Sequence, residues 1–189
     1  MENGSTLTAS SAGFRVRRLA ALLGGIAIAA VLVPLSGPAY AESGDLTCAA
    51  AGQMNFSPAL TATNTSAKVS QSAAAFNCTS PNGRYPDLKS ASAPLTGSAT
   101  SAPGVNPCNT LVTIQEKGVV TWSPTGQRST VDLLMNLNPS AGSVTVTFTV
   151  TGGVLAGDSV TFVGTLAPNA DCAVNGLASL AFEGVDTIA

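Results

Sequence analysis

Residues 143–151 read Ser-Val-Thr-Val-Thr-Phe-Thr-Val-Thr, a strict alternation of apolar side chains with hydroxyl-bearing ones. A period of two sends successive side chains to opposite faces of a strand. Val144, Val146, Phe148 and Val150 therefore define a buried face, and Thr145, Thr147 and Thr149 a wet one. The same period recurs along the chain between glycine- and proline-rich breaks. It predicts strands over Leu46–Phe56 and Ala67–Cys78. A loop follows at Ser80–Asp87, where Asn-Gly and two prolines fall within eight residues. Leu88–Ala102, rich in Ser, Ala and Thr, predicts a strand on an outer edge. Leu111–Ile114 predicts a short strand, and Glu116-Lys117-Gly118 a turn. Val119–Trp122 and Gln127–Asn138 predict a hairpin across Ser123–Gly126. After a turn at Asn138–Gly142 comes the threonine strand, then Val160–Leu166 and finally Ala178–Ile188.

No segment carries the period of an amphipathic helix. Eight or nine short strands at even spacing predict an all-β fold, an antiparallel β-sandwich in which each sheet has one apolar face. The core expected from phase is Val69, Phe76, Val120, Trp122, Val131, Leu133, Met135, Val144, Val146, Phe148, Val150, Val160, Phe162, Leu166, Leu180 and Phe182. Trp122 is read as a buried inter-sheet tryptophan.

The N-terminus stands apart from this pattern. Arg15, Arg17 and Arg18 precede the uncharged run Leu19–Val33, which Pro34 and Gly37 end, and Ala39-Tyr40-Ala41 offers small residues at a cleavage site. Residues 1–41 therefore read as a secretory signal peptide, and 42–189 as a single exported domain. The run is shorter than the roughly 20 residues that span a bilayer. The Arg17-Arg18 pair leaves open whether export is of the general or the twin-arginine type.

Beyond Ala41 the chain carries nine carboxylates and five cations, Lys68, Arg84, Lys89, Lys117 and Arg128. This sparse, mildly acidic balance argues against nucleic acid and against an anionic membrane surface as partners. The expected location is extracellular.

Four cysteines, Cys48, Cys78, Cys108 and Cys172, lie in the exported part at intervals of 30, 30 and 64 residues. An even count in an exported chain predicts two disulfides. Three pairings are possible; Cys48–Cys78 with Cys108–Cys172 is favoured because the first two sit in consecutive strands. No CxxC spacing and no histidine occur, so neither a metal site nor a cofactor is expected.

The absence of histidine also removes Ser-His-Asp and Cys-His catalysis. Ser66 with Lys68 sits in a polar strand, where a solvated lysine is the simple reading. A pair of carboxylates acting on a glycoside stays open, since sequence spacing does not test separation in space. The chain therefore reads as a non-enzyme with no catalytic residues. For contact with an extracellular protein or glycan, Arg84 and Tyr85 on the Ser80–Asp87 loop are the candidates, with Arg128 a weaker second. The threonine row reads as the solvent face of a sheet, because threonine also has high strand propensity. Three Asn-x-Ser/Thr triplets, at Asn55, Asn64 and Asn77, read as chance.

The Leu46-Thr47-Cys48-Ala49-Ala50 opening, the Asn55–Pro58 stretch and the cysteine following Phe76 are similar to small secreted proteins of actinomycetes, Streptomyces among them. So are the VVTWSPTGQRST hairpin and the GGVLAGDSV stretch. The resemblance spans nearly the whole exported part. It implies a secreted, two-disulfide β-protein and assigns no activity to any residue. The expectation is a secreted binding or cell-surface-associated β-domain. An inhibitor of an extracellular hydrolase is the alternative, and a carboxylate-based glycosidase the third reading.

Overall fold

Eight strands run up and down in chain order in the computed structural model, which describes residues 44–189. They are β1 (Leu46–Leu60), β2 (Ser66–Thr79), β3 (Ser90–Ser101), β4 (Val112–Ser123), β5 (Arg128–Leu137), β6 (Ser143–Gly153), β7 (Ser159–Pro168) and β8 (Leu177–Ile188). A single helical turn, α1 (Cys172–Asn175), interrupts the last connection. The segment read as a signal peptide lies outside the described residues.

Each strand pairs antiparallel with its neighbour in sequence, and β1 then pairs with β8 from Leu46↔Ile188 to Asn55↔Ser179. The fold is therefore a closed barrel, and the expected sandwich is corrected. A sandwich needs strands that leave one sheet for another. Here every connection is a hairpin, so no strand leaves its neighbour, and closing β1 on β8 removes both sheet edges. The strand expected on an outer edge, β3, lies between β2 and β4.

Alternation survives closure. Val131, Leu133, Met135 and Leu137 on β5 point inward and are buried, and Thr130, Asp132, Leu134 and Asn136 point out. Two expected details change. Glu116-Lys117-Gly118 is no turn: β4 runs straight through it, with Val112, Ile114, Glu116 and Trp122 buried on the inner face. Phe76, expected in the core, faces outward and is 41% exposed. Near it the β1–β2 register shifts between Thr47 and Ala49, and Asn77 takes a positive φ of 53°. Phe76 keeps the outward phase set by the inward Ala67, Val69 and Ala75, and the bulge at Asn77 then turns Cys78 inward.

Both disulfides are formed, Cys48–Cys78 and Cys108–Cys172, consistent with an extracellular protein. The first ties β1 to β2. The second ties the β3–β4 loop to α1. At that end of the barrel Leu60, Pro107, Cys108, Pro139 and Leu177 are buried; at the other, Leu46, Leu88 and Leu155 are.

Candidate functional site

An eight-stranded barrel is just wide enough to be filled by its own side chains or to keep room for one small ligand. This one keeps room. A cavity of about 120 Å³ lies inside it, walled almost entirely by apolar side chains. Two features of the sequence create the space. On β2 and β3 the inward positions at this level are alanines: Ala73, Ala75, Ala91 and Ala93. On the opposite wall, the largest rings lie flat over glycines instead of projecting to the centre. A Cβ on Gly164 would meet the ring of Phe162 at 2.4 Å, and one on Gly52 would meet Phe182 at 2.4 Å. The two rings pack edge to face, 5.7 Å between centroids.

Trp122 closes one side. Its indole Nε1 donates to Ser129 Oγ at 2.9 Å, and Ser129 Oγ in turn donates to the carbonyl of Val154. Both polar groups of this wall are thus satisfied, and the indole face is left to the cavity.

The barrel is incompletely zipped on one side. The β5–β6 ladder covers only Ser129–Asp132 against Thr149–Gly153. Continuing the register from Asp132↔Thr149 would bring Leu133 to Phe148 and Leu137 to Val144, yet no pairs form there. Along this stretch β5 pairs only with β4 and β6 only with β7. The inward side chains flanking the seam, Leu133, Met135, Val144, Val146 and Phe148, all line the cavity. The seam is thus a stretch of wall without ladder hydrogen bonds, with the cavity directly behind it.

Polar groups on the cavity wall are few. Asp186 faces inward from β8, directly across the ladder from Phe162 on β7 and Cys48 on β1. Burial pushes its carboxyl up to about 6. Gln71 also lines the cavity, and its Oε1 is buried without a hydrogen-bond partner. A second acid, Glu116, lies off the cavity, between Gly97 and Leu133 across the neighbouring strands. It is 1% exposed, both carboxylate oxygens lack partners, and burial pushes its pKa up to about 7. Among the described residues no three Asp, Glu or Cys side chains gather as a metal site would require.

The residues expected to meet a partner have other neighbours. Arg84 is 67% exposed and ion-paired with the buried Asp45 at 3.5 Å, where Asn82 also donates to Asp45. Its guanidinium sits 5.9 Å from the centre of the Tyr85 ring, and Tyr85 is packed against the core. Asp158, whose pKa is raised by burial and then by the nearby Asp45 charge, is steadied by Arg84. The loop is thus fastened to the barrel end by the pair expected to reach outward. Arg128 is exposed at the start of β5, away from them in sequence and on a different connection. Lys68 is exposed on β2.

The threonine row does face outward, and it continues around the wall. Thr147 pairs with Thr161, Thr161 with Thr187, Thr187 with Thr47 and Thr47 with Thr79, one threonine on each of five adjacent strands. Val163, which interrupts the hydroxyl pattern on β7, is 54% exposed beside Val185.

Asp186 and Gln71 are the residues that sequence reasoning missed. The signal for Asp186 was phase: it shares the inward parity of Leu180, Phe182 and Ile188. These features define a class, a closed up-and-down β-barrel with an apolar interior cavity and one acid on its wall. No match was found for the chain among protein-family models, curated proteins or solved structures.

Proposed function

We propose that the protein is an exported, non-enzymatic binding protein that holds one small, largely apolar ligand inside its barrel. The observation that carries this reading is the cavity itself. Protein interiors are packed to the density of organic crystals, and an unfilled space of this size costs stability that a filled core would not lose. Alanines at four adjacent inward positions and rings laid against the wall keep it open. The volume is close to that of an apolar cavity of about 150 Å³ that holds benzene, so the expected occupant is one ring or a chain of about six carbons.

The other parts support the same reading. The β5–β6 seam offers a lateral path that opens without breaking a ladder. Two disulfides suit an oxidising, extracellular setting. Apolar residues inside with Ser and Thr outside is the reverse of a lipid-facing barrel, which supports a soluble carrier rather than a membrane pore. Among the described residues Asp186 is the only carboxylate lining the cavity, the other inward acid, Glu116, lying off it, which favours binding over a two-carboxylate glycosidase.

Trp122 is the single tryptophan and lines the cavity, so its emission reports occupancy. Titration of the disulfide-intact protein with benzyl alcohol, excited at the red edge of the indole band, is expected to give a saturable change. A Trp122 signal that stays flat, or drifts linearly with concentration, would overturn the proposal.

A further inference from the structure

The cavity has a direction. Its wall is apolar on β3 and β6, Gln71 on β2 and Ser129 on β5 are its neutral polar groups, and its one ionisable group among the described residues, Asp186, lies on β8. No inward side chain on β1, β7 or β8 supplies a cation: the inward neighbours are Leu46, Cys48 and Ala50, then Val160 and Phe162, then Phe182 and Ile188. Asp186 makes no side-chain hydrogen bond or salt bridge among the described residues, and burial alone perturbs it. The other interior acid, Glu116, is off the cavity.

A partly buried carboxylate on an apolar wall, with no protein partner, is an unusual thing to keep. Burying a charge is costly unless it is paired, and an asparagine or alanine at this position would remove the cost. Folding has already removed part of the acid's water, so a cationic ligand gains the attraction at a reduced further desolvation cost on the protein side. Phe162 stands directly across from Asp186, and Phe182 packs edge to face on Phe162. An aromatic face beside a carboxylate favours an ammonium further.

We propose that the ligand is a small primary amine, its ring or short alkyl body in the apolar cavity and its ammonium group on the Asp186 carboxylate. This rests on the cavity being a ligand site and specifies what that site selects. Near neutral pH the acid is mostly ionised and the amine fully protonated, so the two charges meet without a change of protonation state. An anionic ligand of the same size is repelled, and a neutral one gains only burial.

Three probes of matched shape test it: benzylamine, benzyl alcohol and benzoate, titrated into the disulfide-intact protein by calorimetry and by Trp122 emission. At pH 7.5 benzylamine is expected to bind at least tenfold tighter than benzyl alcohol, and benzoate weaker than either. At pH 4.5, where Asp186 is protonated, the amine's advantage is expected to fall to threefold or less. Asp186→Asn is expected to erase the advantage at pH 7.5 while benzyl alcohol still binds; Glu116→Gln is expected to keep it. Should Asp186→Asn fail to fold, the pH comparison on the unaltered protein decides alone. Equal binding of all three probes, tighter binding of benzoate, or an amine preference that survives both pH 4.5 and Asp186→Asn overturns the amine proposal and leaves the cavity standing. Failure of every probe to bind overturns both.

Discussion

Replacing Glu116 by glutamine removes a negative charge from the driest acidic position in the barrel. Glu116 points inward from β4, is 1% exposed, and finds no hydrogen-bond partner for either oxygen. Burial raises its pKa from 4.5 to about 7. Between those values the folded chain holds a proton that the unfolded chain releases. The stability from this group is therefore fully present below about pH 4.5 and is lost as pH rises through about 7. At 1.36 kcal/mol for each tenfold change in proton affinity, the loss amounts to ~3 kcal/mol once the carboxyl is ionised. Glutamine keeps the shape and cannot ionise. Urea midpoints measured at pH 5 and pH 8 should show the variant within about 1 kcal/mol of the parent in acid. At pH 8 it should be more stable by ~3 kcal/mol, a gain of several degrees in Tm for a chain of this size. Asp186 titrates in the same direction, so part of the slope remains in the variant. Parallel pH profiles for parent and variant would contradict a dry, unpaired Glu116, since an acid paired or wet in solution gains nothing from neutralisation.

Filling the cavity should separate stability from binding: Ala75→Leu adds three carbons to open space, raising stability by ~1–2 kcal/mol if the rotamer fits while weakening benzyl alcohol binding at least tenfold. Hydrogen exchange read by NMR should find seam-facing amides within Leu133–Leu137 and Ser143–Phe148 exchanging faster than those of the zipped stretch at Ser129–Asp132; uniform protection along β5 would contradict an open seam. Arg84→Ala should cost about 1 kcal/mol in a denaturation midpoint, because its guanidinium is largely exposed and the buried Asp45 keeps Asn82 as a donor, and should leave cavity binding unchanged in the fluorescence titration. Removing Cys108–Cys172, which closes the longer chain loop, should cost about 4 kcal/mol on the chain-entropy relation, measured as a urea midpoint with and without the pair replaced by serine.

Much of the barrel was legible because alternation is a local property. The strand at 143–151, the 160–166 strand and the inward side of β5 could be read residue by residue, and so could the favoured cysteine pairing. Closure could not, since a sandwich and a barrel impose the same period of two on each strand, and which strands meet at the ends is decided by sheet coiling. Glu116-Lys117-Gly118 has the composition of a turn. Only the phase shared by Ile114, Glu116, Val120 and Trp122 betrays a continuous strand, and a charged residue at an inward position hides that phase. Phe76 reads as core when counted back from Cys78, but the bulge at Asn77, which no residue type marks, breaks that count, and counted forward from Val69 it faces out. The cavity was the hardest part. Ala73, Ala75, Ala91 and Ala93 look like weak, solvent-facing strand residues, while in the barrel the same small side chains become space.

A crystal of the protein held under xenon pressure tests the interior most directly, because xenon enters apolar cavities of this size without needing a particular chemistry. One strong xenon site is expected, bounded by Trp122, Phe148 and Phe162, with Ala75 and Ala91 across from it. An interior closed by repacked side chains, with no xenon inside the barrel, would contradict it.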